Sequence, residues 1–312
     1  MYDPDYPDDP DYPLMNGDIA LALEAAAEPA SSPGSQRGVL FVVVSLALFV
    51  GGQALLRDGN WGWIVALVAV LIIHELGHLL AMRLLGFSDL SMFFIPFFGA
   101  AASGRKADAS AAQRAIVALA GPVPGIVLAV ILAFTVQSDE PLVWTTINLL
   151  LILNIFNLLP AKPLDGGRFL DIVLFSRQPE LQHLTGVLGA GLLAYLAYDF
   201  ESWLLGGLAV FALLTGGWQV RSNKVGRRIR AALGHGFVVG DTIPPEHHET
   251  VAQAVHAHWG IQSFAKPKTA AGLMKAGWQQ AGYSPPPLGA TLGLMLVYLG
   301  VGGFAAWLLL SS

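Results

Sequence analysis

The sequence lacks cysteine and is poor in charged residues. No cysteine occurs among its 312 residues, so disulfide bonds, thiolate metal ligands and a cysteine nucleophile are excluded. Charged residues make up 12% of the chain and hydrophobic residues 54%, and the mean hydropathy is +0.58. This balance lies outside that of soluble globular proteins and predicts an integral membrane protein with no nucleic-acid partner. Any bound metal must be held by His, Asp or Glu.

The acidic residues are concentrated at the start of the chain. Eight of the 22 acidic residues lie in the first 28 positions, where the sequence DPDYP occurs twice. The density of proline and aspartate disfavours both helix and sheet, so we predict a disordered acidic tail over 1–36. Residues 19–30 are compatible with a short helix. No basic segment precedes them, so they are not predicted to be a cleaved signal peptide.

Long apolar runs follow this tail, separated by short polar turns. Each is close to the length that crosses a bilayer core of about 30 Å. We predict an all-α membrane protein in which about seven transmembrane helices surround a metal site. The predicted domains are a membrane-embedded core with accessory helices (37–219), a cytoplasmic segment of unknown function (220–287) and a C-terminal transmembrane helix (288–312). The predicted spans are 38–56, 61–86, 114–136, 142–160, 182–198, 203–219 and 288–309.

The basic residues predict how the chain is oriented. If the N-terminus is cytoplasmic, every Lys and Arg except Arg57 falls on the inner side of the seven spans. Inner loops are enriched in Lys and Arg, so this orientation is favoured. We therefore expect a multi-pass protein of the cytoplasmic membrane of a bacterium. The lipid bilayer is its first expected partner, and the sequence carries no signal for its oligomeric state.

Two histidines and a glutamate interrupt the second apolar run, in the sequence HELGH. His74 and His78 are four residues apart and lie on one face of a helix, which is the spacing that binds a single metal ion. Glu75 lies next to them, where a general base is needed. Ionisable groups at membrane depth are costly and mark functional sites. HELGH therefore predicts a metal site inside the membrane.

A catalytic zinc site uses three protein ligands and keeps one position open. Asp165 is the candidate third ligand, since Pro160 and Pro163 interrupt the fourth span just before it and two glycines follow it. Proline ends helices and glycine permits tight turns. A turn here places Asp165 near the inner half of the second span, which carries the histidines.

These two motifs resemble those of the site-2 protease family of intramembrane zinc metalloproteases. HELGH corresponds to its HExxH motif, and NLLPAKPLDG, from Asn157 to Gly166, corresponds to its second signature. The resemblance covers about 60–176. It implies one zinc ion bound by His74, His78 and Asp165, and it places Asn157 near the substrate carbonyl.

The family also implies a mechanism and a substrate class. Glu75 is expected to take a proton from water and pass it to the leaving amine, and Asn157 to stabilise the oxyanion. The expected substrate is a transmembrane protein segment that unwinds locally. MFFIPFFGAA (92–101) is expected to form a re-entrant or strand-like loop, and Gly125 stands where the family commonly has Asn.

Two other functions stay open at this stage. A catalytically inactive protein of this family could bind membrane partners as a scaffold, and a metal transporter could place His and Asp between helices. Four of the five histidines in the segment 220–287 lie in HHET (247–250) and HAH (256–258), at positions 247, 248, 256 and 258. Histidines two apart point away from each other on a helix, so we expect these to lie on a solvated surface.

Overall fold

The computed structural model describes most of the chain. It covers residues 19, 20, 22, 24, 35–56, 59–96, 99–106, 108–175, 179–234, 237, 239–240, 242–282 and 285–311. Helices dominate, and β1 and β2 form an antiparallel two-stranded sheet. The elements are α1 (Ser35–Leu56), α2 (Trp61–Leu84), β1 (Ser88–Ile95), β2 (Gly99–Arg105), α3 (Ala111–Ala120), α4 (Pro122–Thr135), α5 (Pro141–Asn157), α6 (Asp165–Val173), α7 (Pro179–Asp199), α8 (Trp203–Leu233), α9 (His248–Trp259), α10 (Pro267–Ala281) and α11 (Leu288–Ser311), with 3-10 turns at Pro245–His247 and Ile261–Ala265.

Five helical segments of the described chain are long and apolar enough to cross a membrane. They are Val39–Leu56, Trp61–Leu84, Ala111–Thr135, Trp203–Leu233 and Leu288–Leu309. The predicted fourth and fifth spans correspond to shorter apolar helices, Pro141–Asn157 and Gly186–Asp199. A multi-pass membrane protein is therefore indicated, whereas the full set of seven spans stays a prediction. The fourth span is shorter than predicted because α5 ends at Asn157, before the two prolines.

The predicted strand-like loop is a β-hairpin attached to α1. Phe93 of β1 pairs with Ala101 of β2, and the Phe94 amide donates a hydrogen bond to the Ser45 hydroxyl on α1 over 3.1 Å. Apart from Arg105, strand β2 contains only glycine, alanine and serine. A Cβ atom on Gly104 would lie 2.8 Å from the Met82 sulfur of α2. The small side chains thus let β2 approach the helix that carries the histidines.

The segment 220–287 is helical and has a core of its own. The second half of α8 packs with α9 and α10 around Val225, Ile229 and Trp278. Ile19 and Ala22 are helical and are buried in this same cluster. This agrees with the expectation that residues 19–30 are compatible with a short helix, whereas the disordered acidic tail over 1–36 stays a prediction. The rest of that tail before Ser35, apart from Ala20 and Glu24, lies outside the described residues.

The four described histidines of this segment are less exposed than predicted. His256 is buried, and 247, 248 and 258 are half-buried. The prediction of a solvated histidine surface is therefore wrong for His256, which lies in α9 among apolar neighbours. The cause is the amphipathic packing of α9, whose Val251, Ala252 and Val255 join the same core.

Candidate metal centre

Helix α2 presents both predicted histidines on one buried face. His74 and His78 are one helical turn apart, and their ring centroids lie 4.9 Å from each other. Glu75 is buried beside them. Three ionisable side chains on an otherwise apolar helix are costly unless they serve a site, because no water solvates them in the bilayer core. The structure buries all three side chains in the interior of the bundle.

Asp165 reaches these histidines because the chain turns sharply after α5. The turn runs from Leu158 to Leu164, and Asp165 is the first residue of α6. Gly166 permits the close approach, since a Cβ atom there would lie 2.1 Å from the Leu158 carbonyl oxygen. The predicted turn is therefore present, and it delivers a buried carboxylate to the face of α2.

The ligand atoms of His74, His78 and Asp165 form a compact triangle. The two Nε2 atoms are 3.2 Å apart, and they lie 3.1 and 3.2 Å from Asp165 Oδ2. Tetrahedral zinc with bonds of about 2.0–2.1 Å separates its ligands by about 3.3 Å. The triangle thus has the size of one face of a zinc tetrahedron, and these three residues can hold a metal ion.

Hydrogen bonds fix the protonation of both histidines. His78 Nδ1 donates to the Val117 carbonyl oxygen over 2.7 Å, and His74 Nδ1 donates to Asn154 Oδ1 over 2.7 Å. With the protons on Nδ1, both neutral Nε2 atoms point lone pairs at each other and at a carboxylate. A cation between them removes this repulsion, so the donor set fits a metal ion.

Asn154 was missed by the sequence reasoning, although an amide in an apolar helix is a signal. It is fully buried in α5, and its amide nitrogen donates to the Leu150 carbonyl oxygen over 2.7 Å, which fixes the orientation of the side chain. A Cβ atom on Gly125 would lie 2.3 Å from this nitrogen. Glycine at 125 therefore makes room for the Asn154 side chain.

Asn157, the other predicted polar residue, has a different placement. It is half-buried at the end of α5, and its amide nitrogen donates to the Leu153 carbonyl oxygen over 3.1 Å. The structure therefore brings Asn154, and not Asn157, into hydrogen-bonding contact with a metal-ligand candidate. A role for Asn157 toward substrate stays a prediction.

Contacts with α6 and α11 hold the turn that carries Asp165. Lys162 Nζ lies 2.7 Å from Asp171 Oδ2, which ties the turn to α6. From α11, the Tyr298 hydroxyl donates to the Leu158 carbonyl oxygen over 2.7 Å. The Tyr298 ring also stacks on Phe169, with centroids 5.0 Å apart. Helix α11 thereby contacts both the first residue of the turn and the helix α6 that follows it.

Comparison with known proteins agrees with this geometry. Residues 62–141 match the model of Peptidase family M50. The predicted resemblance to zinc metalloproteases is thereby confirmed. The matched segment contains His74, Glu75 and His78 and ends before Asp165, so Asp165 is assigned by its position in the structure.

Several curated relatives of this M50-like chain carry names that state a metal. The chain is 28% identical over 151 residues to zinc metalloprotease MJ0392 of Methanocaldococcus jannaschii, covering 46% of this chain and 42% of the relative. It is 32% identical over 161 residues to a Mycobacterium tuberculosis protein whose name contains the words zinc metalloprotease Rip3. This match covers 45% of this chain and 41% of the relative. Stage IV sporulation protein FB of Bacillus subtilis is 27% identical over 150 residues, covering 46% and 48%.

The chain spans less than half the length of these curated relatives. The names of the first two include zinc, which agrees with the size of the triangle of His74, His78 and Asp165. The similarity therefore supports zinc as the cofactor. It does not by itself establish the activity of this chain.

Proposed function

We propose that the protein is a zinc metalloendopeptidase that hydrolyses peptide bonds in or near the transmembrane segments of membrane-protein substrates. The observation that carries this proposal is the buried triangle of His74, His78 and Asp165 with Glu75 beside it. Zinc bound there would polarise the scissile carbonyl and acidify a water molecule. We also propose that the substrate is a transmembrane protein and that its cleavage has a regulatory outcome.

Glu75 supplies the acid–base chemistry in this proposal. It follows His74 directly, does not belong to the triangle of ligand atoms, and is buried against the β2 backbone near Ala102. A carboxylate in this position accepts a proton from the attacking water and transfers it to the leaving amine. Asn154 and the Val117 carbonyl keep the two imidazoles oriented during these steps.

Strand β2 is suited to hold the substrate backbone. It contacts α2, and in the described chain it pairs only with β1, so its other edge has no strand partner there. An extended peptide that adds to its other edge would lie beside Glu75, with few side chains on β2 in the way. Asn157 can then donate to the oxyanion once its amide leaves the Leu153 carbonyl.

The remaining features of the proposal concern location. We place the protein in the cytoplasmic membrane of a bacterium with its N-terminus on the inner side, supported by the distribution of Lys and Arg. The apolar helices supply the membrane anchor. The two alternatives, an inactive scaffold and a metal transporter, both lack a use for Glu75 next to the ligands.

The proposal is tested by cleavage of membrane substrates. The protein is co-expressed with a panel of single-span proteins, each in a native form and in a form with Gly or Pro in the inner half of its helix. We expect cleavage products that disappear with Glu75→Gln, and faster cleavage of helix-weakened forms because a helical amide is protected by its hydrogen bonds. In purified protein, a chelator should abolish cleavage and zinc should restore it.

An active Glu75→Gln protein would contradict the mechanism. Cleavage that is equal for the native and the helix-weakened substrates would contradict the requirement for unwinding. Full activity after complete removal of zinc would contradict the assignment of the enzyme class.

A further inference from the structure

Helix α8 extends beyond the bilayer. It has 31 residues, about 46 Å at 1.5 Å per residue, whereas the hydrocarbon core is about 30 Å thick. Counted from Trp203, about 20 residues fill the core, so the helix leaves it near Arg221. Trp218 lies just before this point and is 49% exposed, as expected for tryptophan at a membrane interface.

The emerging part of α8 carries a row of basic side chains. Arg221, Lys224 and Arg228 are exposed and follow one another at spacings of three and four residues, which places them on one face of the helix. Within the described part of the chain, none of these three belongs to an ion pair. Their charges therefore face outward at the depth of the lipid headgroups.

The C-terminal end of α9 completes this surface. The Trp259 ring packs against Trp218 with centroids 4.8 Å apart, and the Arg221 guanidinium carbon lies 5.1 Å from the centre of the same ring. Because Trp218 marks the interface, this contact holds the end of α9 at the membrane surface. We call these residues the α8–α9 basic surface: Arg221, Lys224, Arg228, His258 and Trp259.

His258 shows that the positive charge converges at one place. Burial lowers its pKa below the usual value, and the positive charges of Arg228, Lys224 and Arg227 lower it further. The contribution of these three cations to the lower pKa shows that they lie close together around His258, where their positive potential attracts an anion.

We propose that the α8–α9 basic surface binds the headgroups of anionic phospholipids and so attaches the helical unit of α8, α9 and α10 to the membrane surface. Clusters of basic residues directly after a membrane span attract anionic lipids at about 1 kcal/mol per residue. The depth of the row, the exposed Trp218 and the charge favour lipid over another protein. This function is independent of whether the protein cleaves peptides.

The acidic tail of the same chain is the competing occupant. It carries the complementary charge. However, its described residues Ile19 and Ala22 are buried in the apolar cluster around Val225 and Trp278. These two residues contact apolar side chains and not the basic row, and we assign the basic row to lipid.

The test uses full-length protein in bilayers of equal parts phosphatidylglycerol and phosphatidylcholine. Lipids that stay with the protein after mild detergent extraction are counted by native mass spectrometry. We expect the wild type to retain phosphatidylglycerol preferentially. The triple variant Arg221→Gln/Lys224→Gln/Arg228→Gln should lower this preference by at least about five-fold. A factor of about five is expected for the loss of a single contact between a basic side chain and an anionic headgroup. High salt should lower it in the wild type.

A matched control removes the same charge from the same helical unit. Lys266→Gln/Lys268→Gln/Lys275→Gln changes three lysines on and next to α10, and it should leave the lipid preference unchanged. The charge-conserving variant Arg221→Lys/Lys224→Arg/Arg228→Lys should also retain it. The helical content of each variant, measured by circular dichroism, shows whether the protein has folded.

Three outcomes would overturn the proposal. In the first, the Gln triple variant retains phosphatidylglycerol as well as the wild type. In the second, the lysine control loses the preference to the same extent, which would make it a property of net charge alone. In the third, the wild type shows no preference until residues 2–16 are deleted, which would identify the acidic tail as the occupant.

Discussion

The amide of Asn154 decides which nitrogen of His74 faces the metal. Its oxygen accepts the proton on Nδ1 over 2.7 Å, and its nitrogen is held by the Leu150 carbonyl. Partners of this kind set the tautomer and ring orientation of a metal-binding histidine and raise its basicity. The Val117 carbonyl does the same for His78. The two ligands are therefore oriented by α5 and α3, respectively, rather than by their own helix.

Replacing Asn154 by leucine should weaken zinc binding without leaving a cavity in the core. Leucine has a similar volume but cannot accept the His74 proton. We expect a loss of about 10–100-fold in zinc affinity, measured by competition with a chelator of known affinity. Asn148→Leu is the matched control, because Asn148 is exposed on the same helix. Equal zinc affinity in the two variants would contradict the role of Asn154.

Sequence reasoning found the ligands at this scale but not their supports. His74, Glu75 and His78 are recognisable because helical periodicity converts their spacing into a shared face. Asn154 carried a usable signal as a buried amide in an apolar helix. The Val117 carbonyl carried none, since every residue has a backbone carbonyl and only the tertiary fold selects which one meets His78.

The turn before α6 depends on elements that are distant in sequence. Gly166 packs on the Leu158 carbonyl, and Tyr298 of α11 donates its hydroxyl proton to that same carbonyl. The ring of Tyr298 stacks on Phe169 in α6. Because Asp165 lies between Leu158 and Phe169, α11 limits how far this ligand can move away from α2.

Tyr298→Phe separates the hydrogen bond from the stacking. Phenylalanine retains the ring contact with Phe169 and leaves the Leu158 carbonyl without its donor. A net loss of about 1 kcal/mol is typical for one hydrogen bond, so we expect zinc to dissociate about five-fold faster. Tyr298→Ala should have a larger effect. Tyr195→Phe, at an exposed position of α7, is the control. Unchanged zinc dissociation in Tyr298→Phe would show that α11 does not position Asp165.

The elements themselves were predictable where their cause is local. Pro160 and Pro163 predicted the break before Asp165, and Pro96 with Gly99 predicted an interrupted, strand-like segment after α2. The burial of Ile19 and Ala22 was not predictable, since it depends on the cluster around Trp278 far along the chain. The contact of Tyr298 with the turn was missed for the same reason.

On the scale of the whole molecule, the arrangement across the membrane can be tested with single cysteines, because the chain has none of its own. We expect Asp139→Cys, between α4 and α5, to react with an impermeant maleimide in intact spheroplasts. Lys224→Cys should react only after permeabilisation. Leu181→Cys reports on whether the two short helices α5 and α7 cross the membrane. If both cross, Leu181→Cys should react with the maleimide only after permeabilisation, like Lys224→Cys.

Each result has a clear consequence for the predicted topology. Labelling of Asp139→Cys and Lys224→Cys from the same side would contradict the orientation derived from the basic residues. Labelling of Leu181→Cys from the side of Asp139→Cys would show that α5 does not cross, and that the five long apolar helices alone span the bilayer.

The central claim is that a metal held by three residues works with a base that does not bind it. The most direct measurement is zinc content beside substrate cleavage in four detergent-purified variants. Glu75→Gln should keep one zinc per chain while cleavage falls by about 10²–10⁴-fold. His74→Ala, His78→Ala and Asp165→Ala should lose zinc and cleavage together, since each removes one of three ligands. An active Glu75→Gln protein, or full zinc in Asp165→Ala, would contradict the account.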